Sequence, residues 1–120
     1  MNKKTLVLGA SENPSRYSYL AINKLRSKGH EVIALGKKTG IVSDVSIQTG
    51  QPAIEDIDTV TLYLNQANQA AYQDYILSLK PKRIVFNPGA ENPELEELAE
   101  KQGIKTMEAC TLVLLSTGQF

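Results

Sequence analysis

The chain has very few of the residues that metal and redox chemistry require. Its 120 residues include one cysteine, Cys110, and one histidine, His30. A single thiol excludes an internal disulfide, and one thiol with one imidazole falls short of a cysteine-type zinc cluster. No apolar run is long enough to span a membrane. Met1-Asn2-Lys3-Lys4 leads into the first strand without the apolar core or cleavage site of a signal peptide. An excess of charge of one sign is missing as well: thirteen Lys and Arg balance thirteen Asp and Glu, and no basic run exceeds two residues. That removes the electrostatic footprint of a nucleic-acid or anionic-membrane partner. The expectation is a soluble, cytoplasmic protein with one domain over residues 1–120, long enough for one core and too short for two.

What the chain does have is concentrated between Thr5 and Arg16, T-L-V-L-G-A-S-E-N-P-S-R. Leu6, Val7 and Leu8 read as a buried parallel strand that stops at Gly9. Gly9, Ala10 and Ser11 are small enough for backbone to approach a ligand. Asn13, Pro14 and Ser15 are helix-entry residues. Strand, tight loop and helix start together make an anion site, because free N–H groups and the positive helix end point to one place. The loop is neither G-x-G-x-x-G nor a P-loop, so a plain first βα turn stays open beside phosphate binding.

The rest of the chain alternates in the same way. Tyr17, Leu20, Ala21 and Leu25 recur at helical spacing up to Gly29, and Glu31 to Leu35 forms a second strand. From Thr39 to Ile57 the pattern weakens, and it predicts one short edge strand near Val45 and a loop. Thr59 to Leu64 is a strand by its β-branched and aromatic content. A helix follows from an Asn65 cap to Lys80-Pro81, with Tyr72, Tyr75, Ile76 and Leu79 in helical register. Arg83 to Phe86 is another strand, Asn87-Pro88-Gly89 a turn, and Asn92-Pro93-Glu94 opens a helix that Gly103 closes. A last strand covers Ile104 to Met107, and Leu112 to Leu115 suggests a short final helix. Such alternation requires a parallel sheet covered on both faces. The predicted fold is a three-layer, Rossmann-like α/β/α domain with strand order 3-2-1-4-5-6.

In such a sheet, ligands sit beyond the carboxyl ends of the strands where the strand order reverses. Four loops qualify: Gly9 to Arg16, Gly36 to Lys38, Leu64 to Gln66, and Asn87 to Ala90. NAD-binding folds place an acid at the end of the second strand for the ribose 2′-hydroxyl. This chain has Gly36, Lys37 and Lys38 there, which favours a nucleotide with a phosphate on its ribose, as in coenzyme A or NADP. The alternative reading of two loop lysines is solvated surface charge.

Catalytic candidates are scarce. His30 falls at the amino end of the second strand, away from the crevice. Cys110 follows the last strand and could face the crevice, or pack as a small hydrophobe. Glu91, Glu94, Glu96, Glu97 and Glu100 read as the first turn and solvated face of a helix. Tyr63, Tyr72 and Tyr75 read as packing residues with exposed hydroxyls.

Taken together, V-L-G-A-S-E-N-P-S-R-Y-S at Val7 to Ser18, the basic corner at Lys37-Lys38, the strand end at Leu64-Asn65, N-P-G-A-E-N-P-E at Asn87 to Glu94, and the last strand leading to Cys110 resemble the small, stand-alone bacterial CoA-binding proteins. Their domain is similar to the CoA-binding domain of the succinyl-CoA synthetase α subunit. The resemblance spans essentially the whole chain. It implies a CoA or acyl-CoA pocket in which Gly9, Ala10, Ser11, Asn13, Ser15 and Arg16 surround the diphosphate. Gly36, Lys37 and Lys38 would lie near the adenosine and its 3′-phosphate, and Leu64 and Asn65 near the adenine or the pantetheine arm. Catalysis is not implied, because the synthetase histidine belongs to a further domain. The expected role is a non-catalytic binding module: a carrier, a sensor or the partner of an unidentified enzyme. Two alternatives stand beside it: an NAD(P)-dependent oxidoreductase, and a redox module forming a CoA mixed disulfide at Cys110.

Overall fold

The central strands, Thr5–Leu8, Thr59–Leu62 and Arg83–Phe86, are buried along their whole length and set the architecture. In the computed structural model, which describes residues 2–120, β1 (Thr5–Leu8), β2 (Val32–Leu35), β5 (Thr59–Leu62), β6 (Arg83–Phe86) and β7 (Lys105–Glu108) pair in parallel. Leu6 lies opposite Ile33 on one side and Val60 on the other. Because successive side chains leave a strand on opposite faces, each strand feeds two cores. Leu6, Leu8, Val60, Leu62, Ile84 and Phe86 join Ile76 of α3 (Gln73–Ser78) and Leu95 and Ala99 of α4 (Pro93–Lys101). Val7, Ala34 and Val85 join Ile22 and Leu25 of α1 (Tyr17–Ser27) and Leu114 and Leu115 of α5 (Thr111–Ser116). The sheet is therefore covered on both faces. Among the described residues no helix is long and apolar enough to cross a membrane.

With β3 at Gly40–Val42 and β4 at Val45–Gln48, the full order is β3-β4-β2-β1-β5-β6-β7, seven strands rather than six. The predicted order 3-2-1-4-5-6 survives as the run from β4 (Val45–Gln48) to β7, but the Val45 strand is not the edge. An additional strand, β3 (Gly40–Val42), pairs antiparallel outside it. A parallel return would need a long crossover, whereas an antiparallel one needs only a two-residue loop. Ser43 and Asp44 supply that loop, Ser43 with a φ of 57°. The Arg26 guanidinium of α1 grips the Asp44 carboxylate twice, Nε to Oδ1 and Nη2 to Oδ2, both at 2.8 Å. That pairing draws the Asp44 carboxyl below the ordinary carboxylate range.

Two further expectations shift. In α1 the buried residues are Ser18, Ala21, Ile22 and Leu25, while Tyr17 and Leu20 face solvent, 70% and 43% exposed. The apolar spacing had placed the inward face one residue too early. The helix predicted after Asn65 is interrupted: α2 (Gln66–Gln69) passes through a 3-10 turn at Ala70–Tyr72 into α3.

At the amino end of the sheet, His30 is buried, its Nδ1 accepts the Lys3 backbone N–H at 2.9 Å, and its ring meets Phe120 edge-on. Burial, and then the nearby positive charges of Lys3 and Arg83, push its pKa below the usual imidazole value. This places the histidine in a packing role on the side of the sheet that the topology rule indicated.

Candidate functional site

A cavity of about 840 Å³ opens at the carboxyl ends of β1, β2 and β5. It gathers three of the four loops singled out above, with Pro88 and Gly89 of the fourth at its margin. Gly9, Ala10, Ser11, Asn13, Arg16, Gly36, Lys37, Lys38, Leu64 and Asn65 all line it. Ser15 does not; its hydroxyl and its backbone N–H are both held by Asn13 Oδ1, at 2.7 and 3.0 Å.

The close approach of backbones here explains the glycines. Gly9 has a φ of +98°, and a Cβ on it would come within 3.1 Å of the Tyr63 carbonyl carbon. Gly36 is tighter still, since a Cβ would lie 2.3 Å from the Ala10 carbonyl oxygen. The ends of β1, β2 and β5 thus pack backbone on backbone to form the cavity floor.

The N–H groups facing this floor are not the ones the sequence suggests. Gly9 and Ala10 both donate to the Leu35 carbonyl at 2.9 Å, so neither is free for a ligand. Asn13 and Ser15 do not cap α1 either. The N-cap is Arg16, with no side-chain cap bond, and no acidic residue stands in the first turn. Instead, the N–H groups of Ser11, Glu12, Tyr17 and Ser18 meet no acceptor among the described residues. Ser18 is a site residue that sequence reasoning missed. It is only 3% exposed, it lines the cavity, and its hydroxyl makes no hydrogen bond among the described residues. Its apolar neighbours Ala21 and Ile22 gave no hint that the polar residue a turn earlier would be buried.

The electrostatics of the rim favour an anion. Arg16, Lys37 and Lys38 line the cavity, and the ion pairs among the described residues, Lys4–Glu31, Arg26–Asp44 and Lys101–Glu97, engage none of them. An uncapped helix start, unpaired N–H groups, the unbonded Ser18 hydroxyl and three uncommitted cations form a set of donors fit for phosphate oxygens.

The opposite wall is held by buried amides. Gln69 is fully buried and donates through Nε2 to the carbonyls of Leu64 and Ala90, both at 2.7 Å, while its Oε1 accepts from Asn92 Nδ2 at 2.9 Å. Asn87 donates to Thr61 Oγ1 and the Leu62 carbonyl, and accepts the Thr111 N–H at 2.8 Å. These bonds fix the ends of β5 and β6 against α2 and α5. Tyr63 lines the cavity with a buried hydroxyl that has no partner among the described residues, contrary to the exposed hydroxyl expected. Burial pushes its pKa up to about 12, so it remains a neutral donor at physiological pH.

Cys110 is half-buried at the start of α5 and is not among the cavity-lining residues. No cluster of three or more His, Cys, Asp or Glu placed to hold a metal occurs among the described residues.

Solved structures place this geometry among known folds. A crystal structure of a protein described as uncharacterized is 53% identical, with a TM-score of 0.97 and coverage of 100% of this chain and 99% of that one. A protein from Thermus thermophilus, at 21% identity, has a TM-score of 0.85 over 98% of this chain and 90% of its own. A hypothetical protein from Pyrococcus horikoshii OT3 gives the same TM-score of 0.85 at 20% identity, covering 96% and 82% of the two chains. These last two are similar in fold. No curated protein matches. The sequence profile of the CoA binding domain matches residues 3–116, nearly the whole chain, and the protein belongs to that family.

Proposed function

We propose that this chain is a non-catalytic module that binds coenzyme A or an acyl-CoA through the crevice at the carboxyl ends of β1, β2 and β5. The observation that carries the reading is the convergence, in one cavity, of the uncapped start of α1 with the basic corner after β2. CoA carries an anion for each: a diphosphate in the middle of the molecule and a 3′-phosphate on its ribose.

In this arrangement the free N–H groups of Tyr17 and Ser18, the Ser11 and Ser18 hydroxyls and Arg16 hold the diphosphate. Lys37 and Lys38 attract the 3′-phosphate. Leu64 and Asn65 border the adenine or the pantetheine arm, on a wall kept rigid by Gln69. The family supports the ligand class, and the donor set supports the place of the phosphates. With no proton-transfer pair in the crevice among the described residues, the expected service is to hold the cofactor or present it to an enzyme partner.

Calorimetric titration of the ligand-stripped protein with CoA, dephospho-CoA, NAD and NADP tests this reading. CoA is expected to bind in the micromolar range and dephospho-CoA at least about tenfold more weakly, the loss of one charged contact. Equal affinity for CoA and dephospho-CoA would remove the basic corner from the account. Tighter binding of NADP than of CoA would turn it toward the oxidoreductase alternative.

A further inference from the structure

One carboxylate stands in this otherwise cationic crevice. Glu12, in the loop between β1 and α1, lines the cavity, and no Lys or Arg among the described residues pairs with it. Its side chain crosses to the sheet edge, where Oε2 accepts the Ile41 N–H at 2.8 Å. Gly40 makes room for it: a Cβ there would lie 2.3 Å from Glu12 Cδ and 2.6 Å from Oε1. The carboxylate is thus fixed against Gly40 and Ile41 in the cavity that Lys37 and Lys38 also line, with Oε1 making no hydrogen bond among the described residues.

Sheets of this kind usually recognise the ribose through an acid at the end of the second strand. Here that position is Gly36, and nothing larger fits it. We propose that Glu12 takes over this task from the first loop and sets which ribose hydroxyl can be phosphorylated in the ligand. Its free oxygen accepts a 2′-hydroxyl through a charge-assisted hydrogen bond and repels a 2′-phosphate. Lys37 and Lys38 supply attraction for a ribose phosphate but cannot by themselves choose its position, since an ammonium on a flexible stem acts as a point charge. Cations that attract and a carboxylate that forbids one position together select a 3′-phosphate. The inference rests on the crevice taking a CoA-type nucleotide.

The test uses adenosine 3′,5′-bisphosphate and adenosine 2′,5′-bisphosphate, which have the same charge and differ only in the position of one phosphate. The wild-type chain is expected to prefer the 3′,5′ isomer by about tenfold or more, and Glu12→Gln to reduce that preference at least about fivefold, chiefly by tighter binding of the 2′,5′ isomer. Gly40→Ala keeps every charge and displaces the carboxylate, so it is expected to erode the preference in the same direction. Circular dichroism checks that both variants fold. A preference unchanged in Glu12→Gln, or an equal loss of both isomers, overturns the role of Glu12 alone. A wild-type chain that binds neither isomer overturns the reading of the crevice itself.

Discussion

Gly36→Ala is expected to cost about 2 kcal/mol of stability and to lower CoA affinity more than tenfold. Gly36 is buried at the end of β2, and its N–H donates to the Gln48 carbonyl at 2.9 Å. A methyl group there meets the Ala10 carbonyl oxygen at 2.3 Å and Ile47 Cγ2 at 3.1 Å. Neither neighbour can withdraw cheaply. Ala10 is held through its own N–H on the Leu35 carbonyl, and Ile47 is packed in the core under α1. The strain must move the loop that carries Ser11 and Glu12, so stability and binding fall together. Gly50→Ala is the control: its φ is +81° with no atom within 4 Å, so it should lose about 1 kcal/mol to backbone strain and leave affinity unchanged. Urea denaturation and calorimetry on both variants separate the two effects.

The second large effect concerns charge. Replacing Lys37 and Lys38 together by alanine is expected to weaken CoA ten- to hundredfold and dephospho-CoA less than about threefold. Both side chains are exposed and outside the core clusters, so thermal stability should stay within a degree or two of wild type, as for ordinary surface substitutions. Raising the salt concentration should reduce the wild-type preference toward that of the double variant, because exposed charges are screened over roughly 10 Å at 0.1 M. Equal weakening of both ligands would assign the lysines a general electrostatic role without contact to the 3′-phosphate.

The sequence was most legible where one residue type has one use. The apolar runs at Leu6–Leu8 and Ile84–Phe86, short and bounded by turn residues, read as buried strands, and Asn92-Pro93 as a helix start; Asn92 Oδ1 does accept the Leu95 N–H, at 3.2 Å. It was least legible where short segments depend on partners far away in sequence. β3 has three residues, and its pairing is decided by the Ser43-Asp44 turn and by Arg26 from α1. The loop from Gly9 to Arg16 read either as an anion site or as a plain βα turn, and its unpaired N–H groups are those of Ser11 and Glu12, joined by Tyr17 and Ser18 beyond it, not those of Gly9 and Ala10. The Leu35 carbonyl of a neighbouring strand takes the Gly9 and Ala10 N–H groups, a contact invisible in local sequence. Glu12 escaped attention for a similar reason, since its partner Ile41 lies 29 residues away.

The most direct test of the central claim is a CoA titration of the isotopically labelled protein, followed through its backbone amide resonances. The account predicts that the amides of Ser11, Glu12, Tyr17, Ser18, Lys37 and Lys38 shift together and saturably. The groove at the other end of the sheet, lined by Lys80, Lys82, Gln102 and Gly103, should stay unmoved. Shifts confined to that groove, or none anywhere at millimolar CoA, would contradict it.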